Sequence, residues 1–320
     1  MHHVYLDMGN LVFPFGDQPH SRQDFILHKD SAFLQKGIAG SFLEFLITAF
    51  DSMCMADRMS DEYSEHIISV DDLTDPDAVC RKLWNRQAAE WAMIESPANY
   101  GITIDTYAKY IRFNPSKKKE TMVSLGAGPG LYEAFMRMLF SQPTSSRDLK
   151  IYCVDYAQAM TRWNKEMLKR LQIAGVEPVT GDMMALTFPD QSIDQVLCNN
   201  ALQWVSDWKK ALDEMVRIIK HDGMRRLYLV INLHPMVVRD SEENVIITLG
   251  DFTLDQILDE LEARNCDINN IRNMLDRQGV GQKGGMLQRT FIEAELQPQG
   301  CKRRWRDFAG TPEIKGIHLS

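Results

Sequence analysis

Three glycines at alternate positions, Gly126, Gly128 and Gly130, break the stretch VSLGAGPGLYE between Val123 and Glu133. A glycine turn of this kind lets backbone N–H groups approach a ligand, because no Cβ stands in the way. Two acids follow at intervals that could share such a ligand, Asp155 and Asp182. A carboxylate accepts from two hydroxyls at once, and the tip of a second strand is where a doubly wound sheet holds ribose oxygens. The spacing also excludes ligands. A dinucleotide fingerprint starting at Gly126 needs a third glycine where the chain has Leu131, and the Gly-Lys-Ser/Thr of a phosphate loop is absent.

The elements around these residues alternate in type. Thr121–Leu125 is an apolar run that ends in the glycine turn, and LYEAFMRMLF after it suits a helix. Leu149–Val154 reads as a second strand ending at Asp155, followed by Tyr156. The interval from Gly126 to Asp155 exceeds the usual ~20 residues, and the polar run 141–148 accounts for the excess as a loop. Met160–Ile173 has apolar residues at helical spacing, and Val176–Val179 leads into Gly181, Asp182 and Met183. Gln195–Cys198 is a strand with a polar end at Asn199 and Asn200. The segment from Trp208 to Ile219 is a one-faced amphipathic helix, and Leu227–Leu233 a buried fifth strand. Strands alternating with helices imply a parallel sheet with right-handed crossovers.

Over residues 119–233 this arrangement resembles the class I S-adenosylmethionine (SAM)-dependent methyltransferases of small-molecule type. The resemblance rests on the GxGxG turn, the acid ending the second strand, the Gly-Asp-Met triplet and the segment FPDQSIDQVLCNNALQWV. It implies a doubly wound, mostly parallel seven-strand α/β sheet with SAM as cofactor. The cofactor residues it implies are Ser124, Gly126, Gly128, Gly130, Asp155, Tyr156, Asp182, Met183 and Asn199. Asp155 would take the ribose, Tyr156 would pack on the adenine, Asp182 would accept from the adenine amino group, and Asn199 would lie near the methionine part. Gln203 and Trp204 would fall near the transferred methyl. One departure stands out: the family's acid two residues before the first glycine is Ser124 here. Glu133 could substitute in part, though its helical position reads first as a solvated surface carboxylate.

The flanks suggest additions to this core. Residues 1–118 read as an N-terminal helical cap, with helices over 40–59, from Asp75-Pro76 onward, and over 103–113. Such a cap covers the acceptor pocket in the resembling family, which makes Tyr107, Tyr110 and Trp204 candidate acceptor contacts. Residues 234–283 read as an insertion with a helix near 253–264 and a glycine-rich connector at 279–285, serving as a lid or acceptor-site element. Residues 284–320 would then supply a final helix, 286–296, and two antiparallel edge strands, 301–308 and 314–319.

Composition narrows the function further. The 320 residues carry a net charge of −8 and 44% hydrophobic residues, with no basic stripe, which disfavours nucleic acid as the main partner. Lys117–Lys119 reads as a solvated linker and Lys302–Arg304 as a charged edge strand. No signal peptide or membrane-spanning run is visible, so no membrane partner and a cytoplasmic setting are expected. The six cysteines form no CxxC pair and the eight histidines no HxxxH cluster, so reduced thiols and no metal are expected.

The expected chemistry is in-line methyl transfer to a small-molecule acceptor. His234, just after the fifth strand, is the candidate base, and Gln203 could orient the acceptor. No Asn/Asp-Pro-Pro-Tyr tetrad follows the fourth strand, which argues against base amino groups in nucleic acid. A SAM-binding protein that does not methylate stays open as the alternative, favoured by Ser124. A nicotinamide-dependent dehydrogenase is disfavoured by Leu131 and by the lack of a Tyr-xxx-Lys pair after the fourth strand. The acceptor atom and the oligomeric state, with a homodimer one option, are not specified by the sequence.

Overall fold

The computed structural model describes residues 5–7, 12–13, 45, 48–49, 74–94, 97–113, 117–140, 148–233, 235–239, 245–277 and 286–298. In chain order these form β1 (Tyr5–Asp7), β2 (Val12–Phe13), α1 (Pro76–Ile94), α2 (Pro97–Tyr110), β3 (Lys119–Leu125), α3 (Leu131–Phe140), β4 (Asp148–Asp155) and α4 (Gln158–Arg170). Then come β5 (Val176–Thr180), β6 (Gln195–Asn199), α5 (Trp208–Ile218), β7 (Arg226–Asn232), β8 (Met236–Arg239) and β9 (Val245–Leu249). The last are α6 (Leu254–Ala263), β10 (Cys266–Arg277) and β11 (Met286–Leu296).

The main sheet has seven strands in the order β10-β11-β7-β6-β3-β4-β5. β5, β4, β3, β6 and β7 run parallel, and β11 is antiparallel to both β7 and β10. This is the expected doubly wound, mostly parallel architecture. Successive residues of a strand point to opposite faces, and each face has its own helices. Leu197, Tyr228 and Val230 pack with Ile104 of α2, Phe135 of α3 and Trp163 of α4. Val196, Leu227 and Leu229 pack on the other side with Leu212 of α5 and Leu258 of α6.

Three expectations change. The segment 286–296 is strand β11, not a helix, and it lies between β7 and β10. The helix that precedes the antiparallel pair is α6, capped by a Thr253–Gln256 capping box. So β10 (Cys266–Arg277) is a strand of the seven-stranded sheet rather than part of an insertion, and α6 packs on that sheet. What is inserted after β7 includes β8 and β9, which join β1 and β2 in a separate four-stranded sheet. The N-terminal segment therefore contributes strands as well as helices. The segments 301–308 and 314–319, the polar loop 141–147 and Lys302–Arg304 lie outside the described residues.

The third change is Lys117, which is no mere solvated linker. Its Nζ donates to Asp194 Oδ1 at 2.7 Å, while Lys220 Nζ reaches Oδ2 at 3.0 Å. The backbone N–H and the hydroxyl of Thr121 also donate to Oδ2, each at 2.9 Å. This knot fastens the start of β6 to β3 and to the end of α5, at the amino-terminal side of these central strands, away from the glycine turn. Cys80, Cys153, Cys198 and Cys266 are buried free thiols, as expected for the two on core strands. No helix among the described residues is long and apolar enough to cross a membrane.

Burial alone would raise the Asp194 carboxyl, but its bonds to Lys117, Lys220 and Thr121 outweigh that and hold it below the usual carboxylate value. Its contribution to stability is therefore present above the unfolded-state value and fades as pH falls through the lower, folded-state one. Asp194→Ala should destabilise the fold by about 3 kcal/mol at neutral pH, since two partly buried ammonium groups lose their counter-charge. Urea titration at pH 7 measures this, and a loss under about 0.5 kcal/mol would mean that the knot is ornamental.

Candidate functional site

One cavity opens at the carboxyl ends of β3, β4, β5 and β6, and most of the sequence-nominated residues line it. Gly126 and Gly128 do, together with Asp155, Tyr156, Asp182, Met183, Asn199 and Trp204. The turn is conformationally exacting: Gly126, Gly128 and Gly130 have φ of +62°, +55° and +69°. Space is as restrictive as dihedral angle. A Cβ on Gly126 would come within 2.1 Å of Ala201 Cβ, and one on Gly130 within 2.0 Å of Asn164 Nδ2. Side chains are excluded there on both counts.

Asp155 holds the turn in place. Its Oδ2 accepts from Gly128 N at 2.8 Å and its Oδ1 from Ala157 N at 2.8 Å. A carboxylate has about four acceptor positions, so two bonds within the protein still leave capacity for two hydroxyls. Burial pushes this carboxyl up to about 6, against the lowering effect of the two backbone bonds. It is thus ionised at neutral pH. Asp182 accepts from Met184 N at 2.7 Å, a local turn that aims the rest of the carboxylate at the cavity. Asn199 Oδ1 is buried with no hydrogen-bond partner among the described residues. A buried acceptor left in that state costs about 1–3 kcal/mol, which a donor on a ligand would recover.

Helix α1 roofs the cavity; its tryptophans were expected as possible pocket residues, whereas Asp77 and Arg81 were not nominated. Asp75 caps α1, its Oδ1 accepting from Asp77 N and Ala78 N, with Pro76 at the first helical position. Asp77, Arg81 and Trp84 then face the cavity. Asp77 accepts from Ser206 N at 3.0 Å and from its hydroxyl. The Arg81 guanidinium lies 4.9 Å from the Tyr156 ring centroid. Trp84 and Trp204 meet edge to face, 4.7 Å between centroids. Asn85 Oδ1 accepts from Ala159 N at 2.8 Å. That bond serves α4, whose own N-cap, Ala157, has no side-chain acceptor to offer.

The other nominated residues are elsewhere. Gln203 is buried away from the cavity lining, and its Nε2 donates to the carbonyl and Oδ1 of Asn200 at 3.0 and 2.8 Å. Tyr107 packs edge to face on Tyr132, and Tyr110 lies against Phe291 with the rings tilted by 34°; neither lines the cavity. His234 lies outside the described residues. Ser124 is buried and does not line the cavity; its hydroxyl donates to Glu133 Oε1 at 2.6 Å. Glu133 is only 1% exposed, so it is not a solvated surface carboxylate. A carboxyl from the first turn of α3 thus lies against Ser124, outside the cavity lining. Arg289 of β11 also lines the cavity and was missed, because its strand had been read as a helix.

A family model described as "Methyltransferase domain" matches residues 123–226. Among curated proteins, the demethylmenaquinone methyltransferase of Geobacillus sp. (strain WCH70) is 31% identical over 74 residues, 23% of this chain and 32% of that protein. The demethylmenaquinone methyltransferase of Listeria welshimeri is 34% identical over 70 residues, 22% of this chain and 30% of that protein. The chain thus spans about a third of the length of the curated relatives it matches. Among solved structures, geranyl diphosphate C-methyltransferase from Streptomyces coelicolor A3(2) has a TM-score of 0.49 at 11% identity, covering 69% of this chain and 98% of that one. The matched stretch 123–226 contains the glycine turn, Asp155, Asp182 and Asn199, but neither α1 nor Arg289.

Glu133 gives the site a pH signature of its own. Burial pushes its carboxyl up to about 7 from an ordinary 4.5, with Ser124 and the backbone opposing and Asp155 adding to the rise. Between those limits the folded protein holds a proton that the unfolded chain has released. Stability therefore falls as pH rises through that window, by up to about 1.4 kcal/mol per pH unit. Asp155 acts in the same direction only up to about pH 6. Glu133→Gln keeps an acceptor for Ser124 and should flatten the slope between pH 6 and 7 in denaturant titrations. An unchanged slope there would show that the carboxyl ionises without penalty.

Proposed function

We propose that this protein is a SAM-dependent methyltransferase acting on a small-molecule acceptor. The observation that carries the reading is the convergence of Gly126, Gly128, Asp155, Asp182 and Asn199 on one cavity, within the stretch that matches a methyltransferase domain. These residues suit the cofactor group by group. Asp155 retains acceptor capacity for two ribose hydroxyls, Asp182 for an adenine amino group, and Asn199 Oδ1 for an N–H donor. The turn at Gly126 allows close approach where any Cβ would already collide with Ala201.

When bound, SAM supplies an electrophilic methyl on a sulfonium sulfur. The chain's part is then to align an acceptor atom and to exclude water, effects that together are worth on the order of 7–11 kcal/mol in well-aligned systems. Trp84 and Trp204 present apolar ring surface to the cavity, and α1 shields it from bulk solvent. An apolar, planar acceptor suits such walls, in keeping with the demethylmenaquinone acted on by the curated relatives. Gln203 serves by fixing Asn200, whose φ of +51° needs support, rather than by touching the acceptor. His234 is the proposed base, from its position directly after β7.

The alternative of a SAM binder without methyl transfer drew on Ser124 as a lost acid. Ser124 and Glu133 bond to each other outside the cavity lining, so this departure removes no group from the cavity wall, and that motive weakens.

Isothermal titration with SAM, S-adenosylhomocysteine and NAD should give micromolar binding of the two sulfur nucleotides and none of NAD. Asp155→Ala should weaken the sulfur nucleotides by about 1.5–3 kcal/mol, roughly tenfold to a hundredfold. Wild-type protein silent towards both would sink the cofactor reading, whereas equal affinity in the variant would remove only the ribose role of Asp155.

A further inference from the structure

The cavity wall between β6 and α5 has two sides. Asn200, Ala201, Trp204 and Val205 face the cavity. Gln203 turns the other way, fully buried within the single 3₁₀ turn Leu202–Trp204. The cavity side meets both the glycine turn and the roof. Ala201 stands where a Cβ on Gly126 would fall, Trp204 meets Trp84 edge to face, and Ser206 is held by Asp77.

The far side is backed by the insertion. Its chain returns from β9 through Gly250, at φ +66°, and Phe252, whose N–H donates to the Gly250 carbonyl at 2.9 Å. A Cβ on Gly250 would lie 2.5 Å from Gln203 Cβ, 2.9 Å from its Cα and 3.0 Å from its carbonyl oxygen. The last two are backbone atoms, which cannot swing aside as a side-chain tip can. A left-handed turn alone would accept Asn or Asp; the contact with Gln203 accepts no Cβ of any kind. Phe252 then packs on Trp208 at the start of α5, with 5.3 Å between ring centroids. The return leg is therefore seated on both ends of the stretch 203–208. Gln203 passes the contact on, since its Nε2 donates to the carbonyl and Oδ1 of Asn200. The leg itself is anchored in the four-stranded sheet, through the pairing of β9 with β8 and of β8 with β1.

We propose that Gly250 is a positioning residue for this wall, through which the four-stranded sheet sets where Asn200, Ala201 and Trp204 stand against the glycine turn and the roof. The assignment rests on the SAM-dependent reading above only for what the crevice holds. Within that reading, one contact outside the cavity adjusts the acceptor side through Trp204 and the cofactor side through Ala201. Close-packed interiors transmit such displacements, because no void is left to absorb them.

The Trp84–Trp204 pair supplies a local readout. Aromatic circular dichroism is recorded for wild type, Gly250→Ala, Phe252→Leu and Gly175→Ala, with thermal melts as the check on folding. The share due to the pair is what Trp84→Phe and Trp204→Phe each remove. Gly175, just before β5, is the control: its φ is +84°, but a Cβ there would meet only the Arg137 side chain. Gly250→Ala should lose most of the pair signal and bind S-adenosylhomocysteine about threefold to thirtyfold more weakly, whereas Gly175→Ala should keep the signal and bind within about twofold of wild type. Phe252→Leu loosens the return leg without a collision. It should move both readouts the same way by less, and it carries the test if Gly250→Ala does not fold. A lost pair signal with unchanged affinity would uphold the positioning and confine it to the acceptor side. A pair signal that survives in both variants of the return leg would overturn the proposal, whatever the affinity does. If wild type does not bind S-adenosylhomocysteine, the cofactor reading falls, and the pair signal alone still decides for Gly250.

Discussion

The site depends on the narrowness of the space through which the glycine turn passes. Ala201 closes it on one side and Asn164 on the other, so that neither Gly126 nor Gly130 has room for a single carbon. The turn is held in this gap by one carboxylate, Asp155, which binds the turn through Gly128 N and its own helix entry through Ala157 N. Three consequences follow from that one group. It ties the end of β4 to the turn after β3, it fixes the start of α4, and it stands at the cavity wall with half its acceptor capacity left. Burying an acid there has a cost, visible in the rise of its carboxyl to about 6. The cost is bearable because backbone N–H groups stabilise the ionised form.

The cap is built into the same arrangement. Helix α4 follows its N-cap Ala157, whose side chain offers no acceptor to the first-turn N–H groups. Asn85 of α1 reaches over and accepts from Ala159 N. The roof of the cavity thus completes the N-terminus of a core helix, while Asp77 at the other end of the contact grips Ser206 beyond β6. The cap and the Rossmann-like core are therefore coupled through the walls of the crevice. Movement of α1 would uncover the cavity and uncap α4 together.

Much of this was legible in the sequence, for identifiable reasons. Parallel strands buried on both faces are continuous apolar runs, and β3, β6 and β7 announced themselves that way. The glycine turn and the acids at strand ends were legible because so few residue types satisfy their dihedral angles and chemistry. The segment MLQRTFIEAEL misled for the converse reason. As β11 it is covered by β7 on one edge and β10 on the other, with Arg289, Thr290, Phe291 and Ile292 all buried in succession. A strand enclosed so fully loses the alternation that marks a half-exposed one, and its spacing then fits a helix equally well. With the strand misread, a buried arginine at its start could not be seen as part of the crevice. The charged roof residues of α1 were hidden differently. Asp77 and Arg81 lie at helical spacing with Trp84, the one roof residue that the sequence offered, but which face α1 turns to the core is set by long-range contacts such as Asn85 to Ala159.

Ser124 and Glu133 show how a carboxyl can stand behind the glycine turn while the sequence pattern changes. The strand position that carries an acid in the resembling family has a hydroxyl here, and the carboxyl stands nine residues later on α3. On the strand an acid would lie against the turn itself. On the helix it approaches from behind, at 2.6 Å from the Ser124 oxygen, and is shut off from solvent. Its Oε2 has no hydrogen-bond partner among the described residues, which is tolerable for a carboxylic acid and expensive for a carboxylate. The rise of Glu133 to about 7 follows from this burial, and Asp155 nearby adds to it. Two acids behind and beside one glycine turn cannot both be charged without mutual cost. Burial raises both carboxyls, but only Asp155, which lines the cavity, has two backbone N–H groups to stabilise its ionised form.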